Sequence, residues 1–193
     1  MRLAIVLLLA VSLPAGAQRR AMVAPMWSFE VGAAFGSVYF EEGATSTTVR
    51  GTVAPMAGVG ALWRATTVVR AGLVARASRD GLRVTDDGRE WDVGHVNRFD
   101  MLGTLAWEAE RIAFRVVAGP VVLSGPDDIV PFRDRGTAMH WGGGAIIDGT
   151  LAYKGRLRWR VGADGVWMTP SGTAAPAATG IVPRIVIGAA YAL

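Results

Sequence analysis

Hydrophobic and polar side chains alternate along most of the chain from Trp27 onward. Between Leu157 and Asp164 the apolar side chains share one parity, whereas Arg158 and Arg160 share the other. A β-strand places successive side chains on opposite faces, so this segment predicts a strand with one apolar and one polar face. The same alternation predicts eight strands, at 26–39, 50–63, 67–78, 93–107, 111–123, 137–150, 156–167 and 182–193.

The connections between these strands alternate strictly between short and long. The short connections are 64–66, 108–110 and 153–155, and the long connections are 40–49, 79–92, 124–136 and 168–181. An up-and-down antiparallel sheet with every short turn at the same end produces this rhythm. The pattern therefore predicts an all-β fold of eight antiparallel strands in sequential order.

The first seventeen residues have the order of a secretory signal peptide. Arg2 supplies a positive charge, Leu3 to Leu13 form an apolar run, and Ala15-Gly16-Ala17 provide a cleavage site. We expect residues 1–17 to be removed and residues 18–193 to form one barrel domain. The chain contains no cysteine, so a disulfide framework, a thiolate metal site and a lipoprotein anchor are excluded.

Composition narrows the function classes further. Hydrophobic residues make up 51% of the chain and charged residues 19%, and the formal net charge is +4. The arginines are scattered along the chain, which argues against a nucleic-acid partner. No motif for a metal or another cofactor is present, so none is expected.

Polar and apolar side chains alternate along the strands of both a membrane barrel and a soluble lipocalin-type barrel. In the soluble barrel the polar side chains face outward and the apolar ones face the cavity, and in the membrane barrel this arrangement is reversed. The polar parity here combines charged residues with glycine and alanine, as a narrow lumen requires, and the apolar parity carries the large side chains. The pattern thus favours a closed eight-stranded transmembrane barrel with its bulky groups toward lipid.

Aromatic side chains concentrate near the ends of the predicted strands, as the interfacial belts of membrane barrels do. The expected interface aromatics are Trp27, Trp63, Trp107, Trp141, Trp159, Trp167 and Tyr191, and the same belts would include Tyr39, Phe99 and Tyr153.

The final strand carries a further signal, Ile185-x-Ile187-x-Ala189-x-Tyr191-x-Leu193. With the signal peptide and the strand pattern, it resembles the bacterial outer-membrane β-barrel family, and within it the small eight-stranded members related to OmpX and the OmpA membrane domain. Leu193 stands where that family usually ends in phenylalanine. The resemblance implies export through a cleaved signal peptide, an outer-membrane location, and recognition of the C-terminal strand by the barrel assembly machinery. Contact with outer-membrane lipid and lipopolysaccharide is implied as well.

Charged residues of the polar parity are expected to form a network inside the lumen. Its members are Glu30, Arg70, Arg76, Arg98, Asp100, Arg115, Asp148, Arg158, Arg160, Asp164 and Arg184, with His140 nearby. Such groups should pair, because unpaired charge in a narrow lumen is costly. The main interpretation is a plugged barrel with a structural or surface-interaction role. The alternative is a narrow, weakly anion-preferring, porin-like pore lined by the excess of arginine.

The loops offer weaker signals. Asp86-Asp87-Gly88 predicts a hairpin turn, so the 78–93 segment is expected to protrude as a ribbon. Its main interpretation is a solvated loop, and the alternative is a surface that meets an extracellular partner by strand addition. Asp127, Asp128 and Asp134 could hold a divalent cation or bridge lipopolysaccharide. A lipid-modifying enzyme is the third hypothesis, but the two histidines, His95 and His140, lie in no nucleophile motif.

Two prolines fit the strand pattern poorly. Pro55 and Pro120 fall inside predicted strands, although a closed barrel has no edge strand to host them. We expect each to mark either a bulge or a misplaced strand end.

Overall fold

The computed structural model describes residues 24–42, 47–126, 137–152, 156–168 and 180–193. The predicted signal peptide, Tyr153 with its short turn, and the three loop aspartates at 127, 128 and 134 lie outside the described residues. Within them, ten strands form a single antiparallel sheet. The strands are β1 (Met26–Phe35), β2 (Val38–Glu42), β3 (Thr47–Gly51), β4 (Ala54–Arg64), β5 (Val69–Asp86), β6 (Arg89–Glu108), β7 (Ile112–Ser124), β8 (Thr137–Ala152), β9 (Leu157–Met168) and β10 (Gly180–Ala192).

Eight of these strands close into a ring. The order around it is β1, β4, β5, β6, β7, β8, β9 and β10, and β10 pairs with β1 from Phe35↔Ile185 to Ser28↔Ala192. The structure therefore confirms the eight-stranded antiparallel up-and-down barrel. Both chain ends of the ring lie at the short-turn end, because the number of strands is even.

The first long connection is a hairpin rather than an irregular loop. β2 pairs with β3, and β3 continues the sheet against the upper part of β5, from Thr48↔Thr85 to Gly51↔Leu82. Gly36 separates β1 from β2 with a φ of 86°, a left-handed conformation that favours glycine. The predicted strands 26–39 and 50–63 are thus each broken in two, and most of the predicted 40–49 connection is strand.

The second long connection is strand as well. β5 and β6 run past the ring to a two-residue turn at Asp87 and Gly88, whose φ values of 45° and 77° are those of a type I′ hairpin. The predicted protruding ribbon is confirmed, and the expected 79–92 connection shrinks to this turn. A bulge at Val93 of β6, opposite Leu82 and Arg83, bends the ribbon where it leaves the ring.

Each of these two prolines lies where backbone pairing with one of its two neighbouring strands is absent. Pro55 pairs with Ala33 on β1, whereas pairing of β4 with β5 begins only at Met56. Pro55 therefore lies at a strand end that the sequence pattern had misplaced, which is one of the two expected explanations. Pro120 pairs with Trp141, but the β6–β7 ladder lacks the two pairs between Asp100↔Val121 and Gly103↔Ala118. The register is unchanged across this gap. The expectation of a bulge or a strand end was therefore wrong for Pro120.

The two faces of the wall are as the alternation predicts. On β7, Ile112, Phe114 and Val116 are exposed, whereas Ala113 and Arg115 are buried in the interior. On β9 and β10 the side chains of Trp159 and Ile187 are 37% and 49% exposed on the outside. A soluble barrel would place these bulky groups within its cavity.

Candidate functional site

Sheet register brings opposite charges together across the lumen. Glu30 on β1 and Arg76 on β5 both face Gly58 of the intervening β4. Because glycine has no side chain, the Arg76 guanidinium reaches across β4 and donates from Nε to the Glu30 carboxylate. A Cβ at position 58 would lie only 2.7 Å from Glu30 Oε1. The small residue is therefore what makes this ion pair possible.

Asp164 is the most connected carboxylate. Arg184, its direct cross-strand partner, donates to it from Nε at 2.7 Å and from a terminal nitrogen at 3.2 Å. Arg98 donates at 3.1 Å, and a terminal nitrogen of Arg76 lies 3.6 Å away. Asp100 accepts from Arg98 at 2.6 Å and from Arg184 at 3.0 Å, so the two aspartates share two arginines.

Asp148 forms the second branch. It lies 2.5 Å from Arg115 Nε and accepts from Arg160 Nε at 2.7 Å. Arg160 also pairs with Glu30, which joins this branch to Arg76. We call the connected set the central network; its members are Glu30, Arg76, Arg98, Asp100, Arg115, Asp148, Arg160, Asp164 and Arg184.

The central network is deeply buried. Arg76, Arg160 and Arg184 are each only 2% exposed, and Asp148 is fully buried. Guanidinium groups suit such a site, because their planar fork can bridge two carboxylates while remaining charged. Charges this deeply buried are tolerated only when they are paired and hydrogen-bonded.

The structure places the remaining two predicted arginines elsewhere. Arg70 and Arg158 lie at the short-turn mouth, where Glu108 accepts from them at 2.7 Å and 3.3 Å. These side chains are 17–20% exposed, so water reaches them. Sequence reasoning had assigned Glu108 to a turn and missed its role as the acid of this group, although its parity on β6 matches that of Asp100.

A second missed acid lies toward the long-loop end. Asp80 is 1% exposed and accepts hydrogen bonds from the hydroxyl of Tyr39 at 2.6 Å and from that of Ser37 at 3.3 Å. Tyr39 lies on β2, which is not one of the eight barrel strands. It was expected in an aromatic belt on the outer face, and that expectation was wrong because its side chain is buried. Burial, together with the Asp80 carboxylate beside it, raises the pKa of Tyr39 far above its ordinary value, so the phenol stays a donor.

Above the central network, toward the long loops, the inward positions become apolar. We call this set the apolar layer, and it forms one buried cluster with Tyr39. Its members are Leu82, Val96, Val121, Leu123, Val166, Met168 and Val182. Sequence reasoning expected a polar lumen throughout and missed this layer. The signal was present where alternation fails, as at Val121-Val122 and Ile181-Val182, where both parities are apolar.

The charge balance of the interior differs from expectation. The sequence assignment set seven arginines against four acids. The described interior contains the same seven arginines, but Asp80 and Glu108 raise the number of acids to six. The arginine excess that suggested anion preference is therefore one instead of three.

The two histidines lie on opposite sides of the barrel wall. His140 on β8 is buried and faces inward, whereas His95 on β6 is exposed on the outer face. Among the described residues no group of three or more histidine or acidic side chains is placed to hold a metal ion. The described part of the chain also contains no helix long and apolar enough to cross a membrane.

The expected interface aromatics lie on the outer face. Trp27, Trp63 and Trp107 are 41–50% exposed near the short-turn end, where Trp159 and the partly buried Tyr191 also lie. Trp141 and Trp167 are paired across β8 and β9 nearer the long loops, at 65% and 60% exposure. The ring of Trp159 lies over Gly149, where a Cβ would come within 2.1 Å of it. Aromatic cover of this kind compensates for a glycine in a strand.

Solved structures share this architecture. The crystal structure of the outer membrane protein OprG from Pseudomonas aeruginosa is similar over 88% of this chain and 96% of its own, with a TM-score of 0.53 and 12% identity. The outer membrane protein Ail from Yersinia pestis, solved in a phospholipid bilayer nanodisc, is similar over 88% and 99%, with a TM-score of 0.50 and 10% identity. Both are small eight-stranded barrels. No protein-family model and no curated protein sequence matches the chain.

Proposed function

We propose that this chain is a bacterial outer-membrane barrel with a closed lumen, whose role is structural or interactive rather than conductive. The observation that carries the proposal is the burial of Arg76, Arg160 and Arg184 at 2% exposure in the middle of the ring. Burial of these side chains in the middle of the ring supports a lumen without a continuous aqueous path between the two mouths. A plugged lumen is the outcome expected of an eight-stranded barrel filled by side chains.

The outer face supports a membrane location. From the short-turn end up to Ala77 and Phe99, the outward positions of the described ring strands carry no charged side chain. A closed ring satisfies its backbone groups without water, which a strand in hydrocarbon requires. Export through the signal peptide at 1–17, kinship with OmpX and OmpA, and recognition of the C-terminal strand by the assembly machinery belong to the same proposal.

The protruding part supports an interaction role. Beyond the ring, β2, β3 and the outer parts of β5 and β6 form a four-stranded sheet. Pairing of β6 with β7 begins only at Asn97↔Ser124, so among the described residues the β6 segment from Arg89 to Val96 has a free edge. A free edge can accept another strand. We propose this edge, within the 78–93 region and its continuation, as the contact for an extracellular partner.

The proposal includes no catalysis. His95 and His140 lie on opposite sides of the wall and do not share one site. A pore remains the alternative outcome of the test below. The interior arginine excess of one gives that alternative less support than the sequence did.

Planar-bilayer recording on the refolded mature chain tests the closed lumen. We expect silent bilayers, with insertion verified separately by a difference in gel migration between boiled and unboiled samples. A known porin added at the end of each recording checks the sensitivity of the membrane. Discrete current steps from inserted protein would overturn the closed lumen and make the anion-preferring pore the leading function.

A further inference from the structure

The arginine excess of the described interior lies at the short-turn mouth. The five arginines of the central network are balanced by its four acids together with Asp80. At the mouth, by contrast, Arg70 and Arg158 share the carboxylate of Glu108, at 2.7 Å and 3.3 Å. Since these side chains are 17–20% exposed, the uncompensated positive charge lies where water and dissolved ions reach it.

Like charges meet directly at the end of β4 and β5. Arg64 is the register partner of Arg70, so the two side chains share the inward face of the wall. Arg64 is exposed, and within the described part of the chain its side chain makes no ion pair or hydrogen bond. Directly opposed like charges destabilise a strand pair. An anion that contacts both guanidinium groups would remove this repulsion.

A second group of arginines flanks Thr150 at the same mouth. Arg158 is the register partner of Thr150 on one side, and on the other side the amide of Thr150 donates to the backbone oxygen of Arg111. Arg156 precedes Arg158 by two residues, and its backbone oxygen accepts from Ala192. Alternate residues of a strand share a face, so these arginines have the inward parity as well. We call the whole set the mouth arginines; its members are Arg64, Arg70, Arg111, Arg156 and Arg158.

The chain offers little negative charge near the mouth arginines. Besides Glu108, the acid in the described short turns is Glu110. Residues 18–23 and 153–155 adjoin these strand ends in the sequence, and they contain basic residues but no acid. At the long-loop end, in contrast, exposed Arg83 pairs with acids on the neighbouring strand. An excess of one sign of charge attracts a partner of the opposite sign.

The arrangement favours an anion that approaches along the barrel axis. The mouth arginines have inward parity, whereas the outward positions at the same end are apolar and more than one-third exposed, as at Trp63, Trp107, Ile112 and Trp159. Surrounding lipid meets the outward positions, so the inward arginines are approached from the aqueous phase. The short turns of outer-membrane barrels lie on the periplasmic side, and this direction rests on the proposed membrane location.

We propose that the mouth arginines bind a water-soluble polyvalent anion with carboxylate or phosphate groups, which enters from the periplasmic side. One oxyanion group bridges Arg64 and Arg70, and another contacts Arg111 and Arg158. Glu108 already contacts Arg70 and Arg158 together, so the two groups lie within the reach of one small molecule. The planar guanidinium fork donates parallel hydrogen bonds to a carboxylate or a phosphate.

Isothermal titration calorimetry of the refolded mature chain in phosphatidylcholine nanodiscs tests the site with citrate and pyrophosphate. We expect both to bind, and acetate, the monovalent control, to give no saturable heat at the same concentrations. Arg64→Gln and Arg111→Gln should each weaken binding about tenfold, because each removes a charge-assisted hydrogen bond. Arg83→Gln removes an exposed arginine at the opposite end and should change the affinity less than about twofold.

Glu108→Gln separates a binding site from an arrangement that only stabilises the fold. Removing this carboxylate releases Arg70 and Arg158 from their acid, so citrate should bind about fivefold more tightly, the effect of one charge about 4 Å away in water. A purely structural role of the arginines predicts no gain in affinity. Heat-dependent gel migration of each variant verifies that it has folded and inserted.

Each contrary result rejects a different part of the proposal. Absence of heat with citrate and pyrophosphate, weaker binding by Glu108→Gln, or equal effects of Arg64→Gln and Arg83→Gln would refute the site. Acetate binding as tightly as citrate would refute its preference for polyvalent anions. Displacement of citrate by short-chain phosphatidylglycerol, but not by short-chain phosphatidylcholine, would make a lipid headgroup the occupant instead. Failure of the unmodified chain to insert would sink the proposed function, whereas normal insertion without anion binding would sink this inference alone.

Discussion

The central network and the apolar layer fill neighbouring parts of one lumen from inward positions of the same strands. In the central network every group has named partners, and Asp164 alone contacts three arginines. In the apolar layer, contacts such as those of Leu123 and Val166 are non-directional. Removing one member of a buried ion-pair network leaves charges unpaired, whereas an apolar layer loses only buried area and gains a cavity. Substitutions in the central network and in the apolar layer should therefore reduce the free energy of unfolding for different reasons.

The largest expected effect is that of Asp164→Ala. Three deeply buried guanidinium groups lose a shared carboxylate, so the free energy of unfolding should fall by about 4 kcal/mol. Equilibrium unfolding in guanidinium from phospholipid vesicles measures it. Asp92→Asn is the control, because this carboxylate is exposed and its ion pair among the described residues is with Arg83. It should change stability by less than about 0.5 kcal/mol. Similar losses from both variants would contradict the network as described.

Leu123→Ala probes the apolar layer. Its side chain is 1% exposed, so truncation should cost about 3 kcal/mol through lost burial and a cavity, while Leu123→Met should cost less than about 1.5 kcal/mol. By contrast, no conservative replacement of Asp164 should be tolerated as readily as Leu123→Met is at its position. Val122→Ala, one residue away on the outer face, serves as the control and should be nearly neutral. A neutral Leu123→Ala would show that the layer is not packed.

Gly58→Ala tests whether space, and not only charge, sets the central network. The added Cβ would lie 2.7 Å from Glu30 Oε1 and 2.8 Å from the backbone oxygen of Ala75. Displacement of the Glu30–Arg76 pair should cost about 2 kcal/mol. Gly103→Ala meets its nearest neighbour, the Ala118 oxygen, at 3.5 Å and should leave the denaturation midpoint in place. Equal midpoints for the two variants would refute the spatial argument.

The smallest effect concerns the hydrogen bond between Tyr39 and Asp80 beside the apolar layer. Tyr39→Phe keeps the ring in the apolar layer but removes the donor to Asp80 at 2.6 Å, and we expect a loss of about 1.5 kcal/mol. Ser37→Ala should cost less, since its hydrogen bond is 3.3 Å long. If the order of the two variants were reversed in the same unfolding assay, Tyr39 would not be the main donor to Asp80.

Alternation alone was sufficient to predict the eight strands of the ring and their faces, because a period of two assigns each side chain to one side of the wall. Alternation does not specify the register, however, and the register decides that Arg184 lies opposite Asp164 and that Gly58 lies between Glu30 and Arg76. Asp80 was missed because its segment was read as a loop, although strand β5 continues through it. The apolar layer was missed because alternation ends where both faces become hydrophobic.

Pro120 has a consequence for the mechanics of the wall. The ladder between β5 and β6 is continuous from Val69↔Trp107 to Leu82↔Gly94, whereas that between β6 and β7 lacks two rungs beside Pro120. Strands joined by fewer backbone hydrogen bonds can separate locally at lower energetic cost. The β6–β7 ladder should therefore open more readily than the β5–β6 ladder, and its backbone amides should exchange with deuterium before those of the β5–β6 ladder at the same depth.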